Sequence, residues 1–173
     1  MELTYGRYLK VEELLQLQQP LSEGPEHDEM LFIIIHQVYE LWFKQILHEL
    51  EKLKSSFQEG QRGKALHTLK RIRSILKVLV SQVDVLETMT PLEFLSFRER
   101  LQSASGFQSC QFRELEFTLG LKNLKHLERY PQGSEERNRL EKKIEEPSLW
   151  EVFLQFLSSL VYDSLKLKKG GRS

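Results

Sequence analysis

The stretch that most constrains the fold is residues 27–51, HDEMLFIIIHQVYELWFKQILHELE, a long helix-forming run with one polar ring near its centre. Apolar side chains such as Phe32, Tyr39 and Trp42 recur three to four residues apart, which is the spacing of one helix face. Neighbouring apolar residues widen this stripe, so we expect most of the helix surface to be covered. His36 lies within it, and the spacing alone favours a hydrogen-bonded core histidine over a functional group.

Length and composition exclude several classes of protein. A chain of 173 residues predicts one compact domain, and its 25 basic and 25 acidic side chains give no net field that would attract nucleic acid. Cys110 is the only cysteine, so neither an internal disulfide nor a cysteine-pair metal site can form within the chain. The start of the chain does not have the pattern of an export signal, and the longest apolar run, residues 31–35, is too short to cross a bilayer. We therefore expect a cytoplasmic protein without nucleic-acid or membrane partners.

Periodicity and start signals predict an all-α fold, a helical bundle without strands. Thr90-Pro91-Leu92-Glu93 combines an N-cap, a proline at the first helical position and a glutamate at the third. Asp28 is expected to cap the long helix. The residues expected to face inward from the helix after it are Leu66, Leu69, Ile72, Leu76, Leu79, Val83 and Leu86. Helices are predicted at about 10–18, 28–58, 62–86, from Thr90, at about 107–119 and from Ser148.

Four segments are expected within the single domain. Residues 1–26 form an N-terminal arm, and residues 27–121 form the helical core that carries the motifs. Residues 122–147 are highly charged and are expected to be exposed and partly helical. Residues 148–173 form a last apolar helix and a tail, and that helix would expose an apolar patch unless more protein covers it.

The usual motifs of catalysis are absent from the sequence. No two of the five histidines are four residues apart, and none has a glutamate three residues before it, which excludes the helical zinc and di-iron motifs. What remains is a helix face with Phe32, His36 and Tyr39, an apolar wall with one ring able to exchange a proton. Arg98 falls on the inward stripe of the helix that also carries Phe94, and it needs a carboxylate partner, from the protein or from a ligand.

Four ordered segments resemble the N-terminal half of the tryptophan 2,3-dioxygenase family: YGRYL, HDEMLFIIIHQVYELWFKQILHELE, LETMTPLEFLSFRERL and SASGFQSCQFRELE. The likeness is close over about residues 3–120 and looser beyond. It implies an all-helical, homotetrameric enzyme with b-type haem iron. Such an enzyme converts L-tryptophan and O2 into N-formylkynurenine, the first step of tryptophan catabolism through the kynurenine pathway.

The resemblance also implies a role for individual residues. His36 would hydrogen-bond the indole N–H, Phe32 would pack on the indole ring, and Arg98 would pair with the substrate carboxylate. The remaining residues implied at the substrate are Ile33, Ile34 and Ile35 beside His36, Phe94 one turn before Arg98, and Tyr5, Tyr8 and Leu9, which would complete a neighbouring subunit's pocket. Ser105 and Gly106 would approach the haem.

One part of the family pattern has no counterpart here. The family's proximal haem ligand is a histidine of the C-terminal half. No sequence segment resembling the one around that ligand surrounds any of the four remaining histidines, His27, His48, His67 and His126. We therefore expect a truncated product, one half of a split protein or a relative without haem, with activity that needs the missing half. Two other functions stay open: a non-catalytic helical oligomerisation or interaction module, and a haem monooxygenase-type relative acting on another aromatic amino acid.

Overall fold

The computed structural model describes residues 3–24, 26–102 and 106–170, and over these residues it contains helices and no strand. The all-α prediction is confirmed. The α-helices are α1 (Tyr5–Leu9), α2 (Val11–Leu14), α3 (His27–Gln58), α4 (Arg62–Leu86), α5 (Pro91–Arg98), α6 (Cys110–Leu119), α7 (Glu135–Glu145) and α8 (Leu149–Gly170). Short 3-10 helices cover Glu99–Leu101, Gly106–Gln108 and Leu124–Arg129. No helix in the described ranges is long and apolar enough to cross a membrane.

The ends of several helices follow local capping chemistry. Thr90 and Glu93 form the predicted capping box at the start of α5, and Ser148 and Glu151 exchange the equivalent bonds before α8. Asp28 is not the cap of α3, because the helix already begins at His27 and Asp28 lies in its first turn. Its carboxylate still favours the positive end of the helix dipole.

The predicted helix over residues 10–18 is shorter in the structure, where α2 covers only Val11–Leu14 and a separate short helix, α1, precedes it. Lys10 joins them in the left-handed conformation, with φ 52° and ψ 46°, and a residue in that conformation cannot continue a right-handed helix. Helix α6 begins at Cys110, later than predicted, because the Ser109 hydroxyl accepts the N–H of Phe112 at 3.1 Å.

The chain divides into two compact units, and α3 and α4 contribute residues to both. Unit 1 comprises residues 1–39 and 80–106, and unit 2 comprises residues 40–79 and 107–173. These limits do not coincide with the four segments expected from the sequence, and the single domain stays a prediction.

In unit 1, polar side chains of α3 hold the end of the N-terminal arm. Glu29 is buried, and its carboxylate accepts the backbone N–H groups of Leu21 at 2.7 Å and Ser22 at 3.0 Å. Two turns later, the Gln37 amide donates to the carbonyl of Leu17 at 3.0 Å. Residues 17–22 are therefore fixed against the helix that carries Phe32 and His36.

In unit 2, the charged segment contributes to the core, which corrects the expectation that residues 122–147 are simply exposed. Leu140 of α7 is fully buried with Phe117 of α6 and Tyr130. The physical reason is that α7 is amphipathic, so one apolar side packs inward while its charges remain outside. Arg139 of α7 also pairs with the buried Glu114 of α6.

The buried face of α4 agrees with the prediction only in part. The buried residues follow a three-and-four spacing through Ala65, Thr68, Ile72, Ile75 and Leu79. Ile72 and Leu79 were expected inward and are buried. Four other residues expected inward are exposed, namely Leu66 at 55%, Leu69 at 41%, Leu76 at 49% and Val83 at 40%. Two apolar stripes compete on this helix, and the face with the small Ala65 and Thr68 is the one that packs, since small side chains let helices approach closely.

Candidate functional site

Three phenylalanine rings from two helices form an aromatic cluster in unit 1. The Phe32 ring of α3 lies 5.8 Å from the Phe94 ring and 5.6 Å from the Phe97 ring of α5, centroid to centroid. Phe94 and Phe97 meet edge to face at 5.5 Å. Phe97 is fully buried, so it anchors the cluster, while Phe32 and Phe94 keep part of their surface accessible.

His36 extends this cluster with a polar ring of defined orientation. Its centroid lies 4.1 Å from the Phe32 centroid, and its Nδ1 lies 2.7 Å from the Phe32 carbonyl oxygen one turn earlier. A carbonyl oxygen only accepts, so Nδ1 must carry the proton. In the neutral ring Nε2 is then a hydrogen-bond acceptor, able to receive an N–H from a ligand.

The backbone at Gly106 comes close to the free nitrogen of His36. A Cβ added at this glycine would lie 3.7 Å from Nε2 and 3.9 Å from Cδ2 of the imidazole. The absence of a side chain keeps that space open, so a flat group can approach both Gly106 and Nε2. Ser105, predicted beside it, lies outside the described residues.

A cavity of about 420 Å³ opens beside the aromatic cluster. Its lining is mainly apolar, with the imidazole of His36 as its ionisable group; the lining residues are Phe32, His36, Leu86, Met89, Thr90, Pro91 and Phe94. An apolar cleft with a few placed polar atoms suits a flat aromatic ligand that carries a hydrogen-bond donor.

The N-terminus of α5 gives this cavity a rigid edge. The Glu93 carboxylate accepts the N–H of Thr90 at 2.7 Å, and the Thr90 hydroxyl accepts the N–H of Glu93 at 3.3 Å. The bond from the Thr90 N–H holds the pKa of Glu93 below its usual value. Pro91 fixes the first backbone angle of the helix.

Arg98 closes α5 one turn after Phe94. Its guanidinium is half-buried and donates from Nη1 to the Gln102 carbonyl oxygen at 3.2 Å. Across the described parts of the chain no carboxylate lies within ion-pair distance of Arg98. The sequence left open whether the carboxylate partner of Arg98 comes from the protein or from a ligand. The described residues supply no such carboxylate, so the guanidinium is available to an acidic ligand.

Arg98 is not among the residues that line the cavity, and the isoleucines and α1 residues predicted at the site lie outside the lining as well. Ile35 is buried, Ile33 is half-buried and Ile34 is 42% exposed. On α1, Tyr5, Tyr8 and Leu9 are exposed by 78%, 72% and 45%. The proposed roles of these six residues stay predictions.

Sequence reasoning missed five contributors to the site. Four of them line the cavity, namely Leu86, Met89, Thr90 and Pro91, and the ring of Phe97 packs against that of Phe32. Thr90 and Pro91 were recognised only as parts of a helix start signal, and Met89 only within a segment that resembles the family. One feature of the sequence could have indicated these residues. Phe94, Phe97 and Arg98 recur at helical spacing directly after the start signal, so the first residues of that helix are expected near the face that these three side chains form.

Metal-binding groups are limited in the described residues. No cluster of three or more His, Cys, Asp or Glu side chains there could hold a metal ion. His67 Nε2 lies 3.2 Å from the Arg71 guanidinium, and His126 Nε2 lies 3.4 Å from that of Arg113. His27 and His48 are exposed.

Comparison with known proteins gives a consistent family. The family model for tryptophan 2,3-dioxygenase matches residues 1–159. The chain is 58% identical over 158 residues to the tryptophan 2,3-dioxygenase of Herpetosiphon aurantiacus, covering 90% of this chain and 59% of that protein. The enzymes of an Anaeromyxobacter strain and a Nocardioides strain are 54% and 53% identical, each over 91% of this chain and over 58% and 61% of their own length. The chain thus spans about three fifths of the length of these relatives. On this match, and with an all-α fold, the chain belongs to the tryptophan 2,3-dioxygenase family.

Proposed function

We propose that this chain supplies the substrate-binding side of a haem-dependent tryptophan 2,3-dioxygenase, which converts L-tryptophan and O2 into N-formylkynurenine. The observation that carries the proposal is the bond from His36 Nδ1–H to the Phe32 carbonyl, which leaves Nε2 as an acceptor beside an aromatic cavity. The relatives are longer than this chain, so the activity of the complete enzyme is itself part of the proposal.

Each end of the substrate has a complementary group. The Nε2 atom of His36 accepts the indole N–H, and the accessible face of Phe32 packs on the indole ring. Arg98 pairs with the carboxylate through its planar guanidinium, for which the described residues offer no competing acid. An analogue that lacks the matching group would leave a donor or acceptor of the site unpaired. Such an analogue therefore binds more weakly than the substrate.

A haem group fits the described residues on one side only. Phe32, Leu86 and Phe94 give an apolar wall, and Gly106 gives a backbone without a side chain near His36. The other histidine of unit 1, His27, is exposed, and we assign the iron ligand to no described residue. When bound, haem would supply the oxygen chemistry, while this chain binds and orients tryptophan and keeps water from the indole.

We also propose a cytoplasmic homotetramer in which the arm of one subunit reaches its neighbour. The exposure of Tyr5, Tyr8 and Leu9 on α1 supports this role, because two tyrosines at the surface of a short helix need a partner to bury them.

The test is the affinity of His36→Ala and Arg98→Ala for L-tryptophan, measured by calorimetric titration of the chain in a haem-binding complex. Each substitution removes one hydrogen-bonding partner, so each should weaken binding by about tenfold or more. L-tyrosine serves as the competing ligand. Tighter binding of tyrosine than of tryptophan would favour a haem enzyme acting on another aromatic amino acid.

The chain alone provides a second test. Without an assigned iron ligand, it should give no stable Soret band when mixed with haem. A stable Soret band together with tryptophan turnover by the chain alone would contradict the proposal that the ligand lies elsewhere.

A second candidate function is a non-catalytic interaction module. Exposed apolar side chains on α8 favour it, among them Trp150 at 59% and Val161 at 60%. Unchanged tryptophan affinity in both His36→Ala and Arg98→Ala would support this module over the dioxygenase.

A further inference from the structure

The segment that joins α4 to α5 places one side chain in the candidate cavity for which the proposed function gives no role. Met89 is half-buried and lines the cavity together with Phe32, His36 and Phe94. Part of its surface is therefore open to whatever occupies the cavity.

The backbone around Met89 is held on both sides. Its own N–H donates to the Leu86 carbonyl at 3.1 Å, and the N–H of Thr88 donates to the Val85 carbonyl at 3.2 Å. On the other side, the capping box of Thr90 and Glu93 fixes the start of α5. Met89 therefore extends from a fixed backbone position, which keeps its side chain in the same part of the cavity lining.

The chemistry of a thioether suits this place. Sulfur is polarizable and makes favourable contacts with aromatic rings, often at the ring edge. In a cavity of about 420 Å³, removing the three outer heavy atoms of a methionine leaves room for an extra group on the ligand.

We propose that Met89 is a specificity-determining residue of this site. Its thioether contacts the aromatic ring that His36 and Phe32 hold, and it limits the size of substituents on that ring. This inference rests on the proposed function, because the ring is taken to be the indole of tryptophan.

Methyl NMR of methionine tests the contact directly. The chain has three methionines, Met1, Met30 and Met89, so labelling the ε-methyl carbons gives three resonances that Met30→Leu and Met89→Leu assign. Met30, on α3 and outside the cavity lining, is an internal control. With the labelled chain in the same haem-binding complex and L-tryptophan as the probe, the Met89 methyl resonance should shift and that of Met30 should not, because ring currents act only over a few ångströms.

Parallel labelling of the histidine rings separates the two hypotheses. A shift of the His36 ring signals with no shift at Met89 would overturn the role of Met89 and leave the proposed function intact. No shift at either residue at millimolar tryptophan would overturn both. Shifts at both residues, absent from Met30, are the expected result.

A substitution tests specificity. Met89→Ala should raise the affinity for at least one of 5-, 6- and 7-methyltryptophan, relative to tryptophan, by about tenfold, the discrimination typical of one methyl group in an apolar pocket. Met30→Ala is the matched control and should leave all three ratios unchanged. Ratios that stay within about twofold of the original in Met89→Ala, for all three ligands, would contradict the size limit.

Discussion

His36 and Phe32 lie one turn apart on α3, and the imidazole Nδ1–H of His36 donates to the Phe32 carbonyl oxygen across 2.7 Å. The two rings also pack at a centroid distance of 4.1 Å. The Phe32 carbonyl thus determines that the proton of the neutral His36 ring lies on Nδ1, and Nε2 can accept a hydrogen bond. That relationship turns a histidine on an apolar helix into a recognition group.

The tautomer of His36 is a first prediction. At about pH 8.5, where imidazoles are neutral, the 15N shifts should show a protonated Nδ1 and a bare Nε2. The exposed His48 on the same helix serves as the comparison and should show a mixture of tautomers. A neutral His36 protonated mainly at Nε2 would contradict the assignment of the indole acceptor.

The capping box should control the edge of the cavity. Thr90→Ala removes the acceptor of the Glu93 N–H and should destabilise the fold by about 1 kcal/mol in urea unfolding. Thr90→Ser keeps a hydroxyl at the cap and is the matched control. Equal losses in the two variants would mean that the methyl group, and not the hydrogen bond, is responsible.

Burial of α7 in unit 2 predicts a large effect of one leucine. Leu140 is fully buried with Phe117 and Tyr130, so Leu140→Ala should lower the free energy of unfolding by about 2–5 kcal/mol. Leu92→Ala, at a position 80% exposed, should change it by less than about 0.5 kcal/mol. Comparable unfolding midpoints for the two variants would show that α7 does not pack as described.

Glu29 gives a pH dependence with a defined sign. Burial alone would raise its pKa, but hydrogen bonds from Ser22 and Leu21 lower it below the ordinary 4.5. The stabilisation by Glu29 is therefore complete above pH 4.5 and is lost as the pH falls through the lower pKa of the folded state.

Its variants test that sign. Glu29→Gln should cost about 1.5–3 kcal/mol at neutral pH, and the difference from the unmodified chain should shrink in acid. Glu12→Gln, an exposed acid on α2, should match the unmodified chain throughout. A Glu29→Gln difference that is constant from neutral pH to about pH 3 would refute the linkage.

The sequence predicted most helices because their signals are local. The bounds of α3 and α4 followed from periodicity, and the start of α5 followed from Thr90 and Glu93 alone. The predicted inward face of α4 was right for Ile72 and Leu79 and wrong for four other residues. The reason is that Ala65 and Leu66 lie on adjacent apolar stripes, and only packing chooses between them. Leu140 was missed for the same reason, since its burial depends on what packs against the amphipathic α7.

The candidate site was predictable only in part. Helical spacing singled out the face with Phe32 and His36 and the inward Arg98, although it favoured a core role for His36. Their roles at a substrate, and that of Phe94, came from the family resemblance. Met89 could not be found in this way, because its place in the cavity depends on how the turn after α4 is pinned. A helix start signal says where a helix begins and nothing about which cavity its first residues face.

The most direct test of the central claim is the affinity of Arg98→Ala for L-tryptophan and for tryptamine, which lacks the carboxylate. Arg100→Ala, an exposed arginine two residues away, is the control. We predict that Arg98→Ala weakens tryptophan binding by about tenfold or more, leaves tryptamine binding unchanged, and that Arg100→Ala alters neither. Equal loss for the two ligands, or no loss for either, would contradict the assignment of Arg98 to the carboxylate and with it the proposed substrate site.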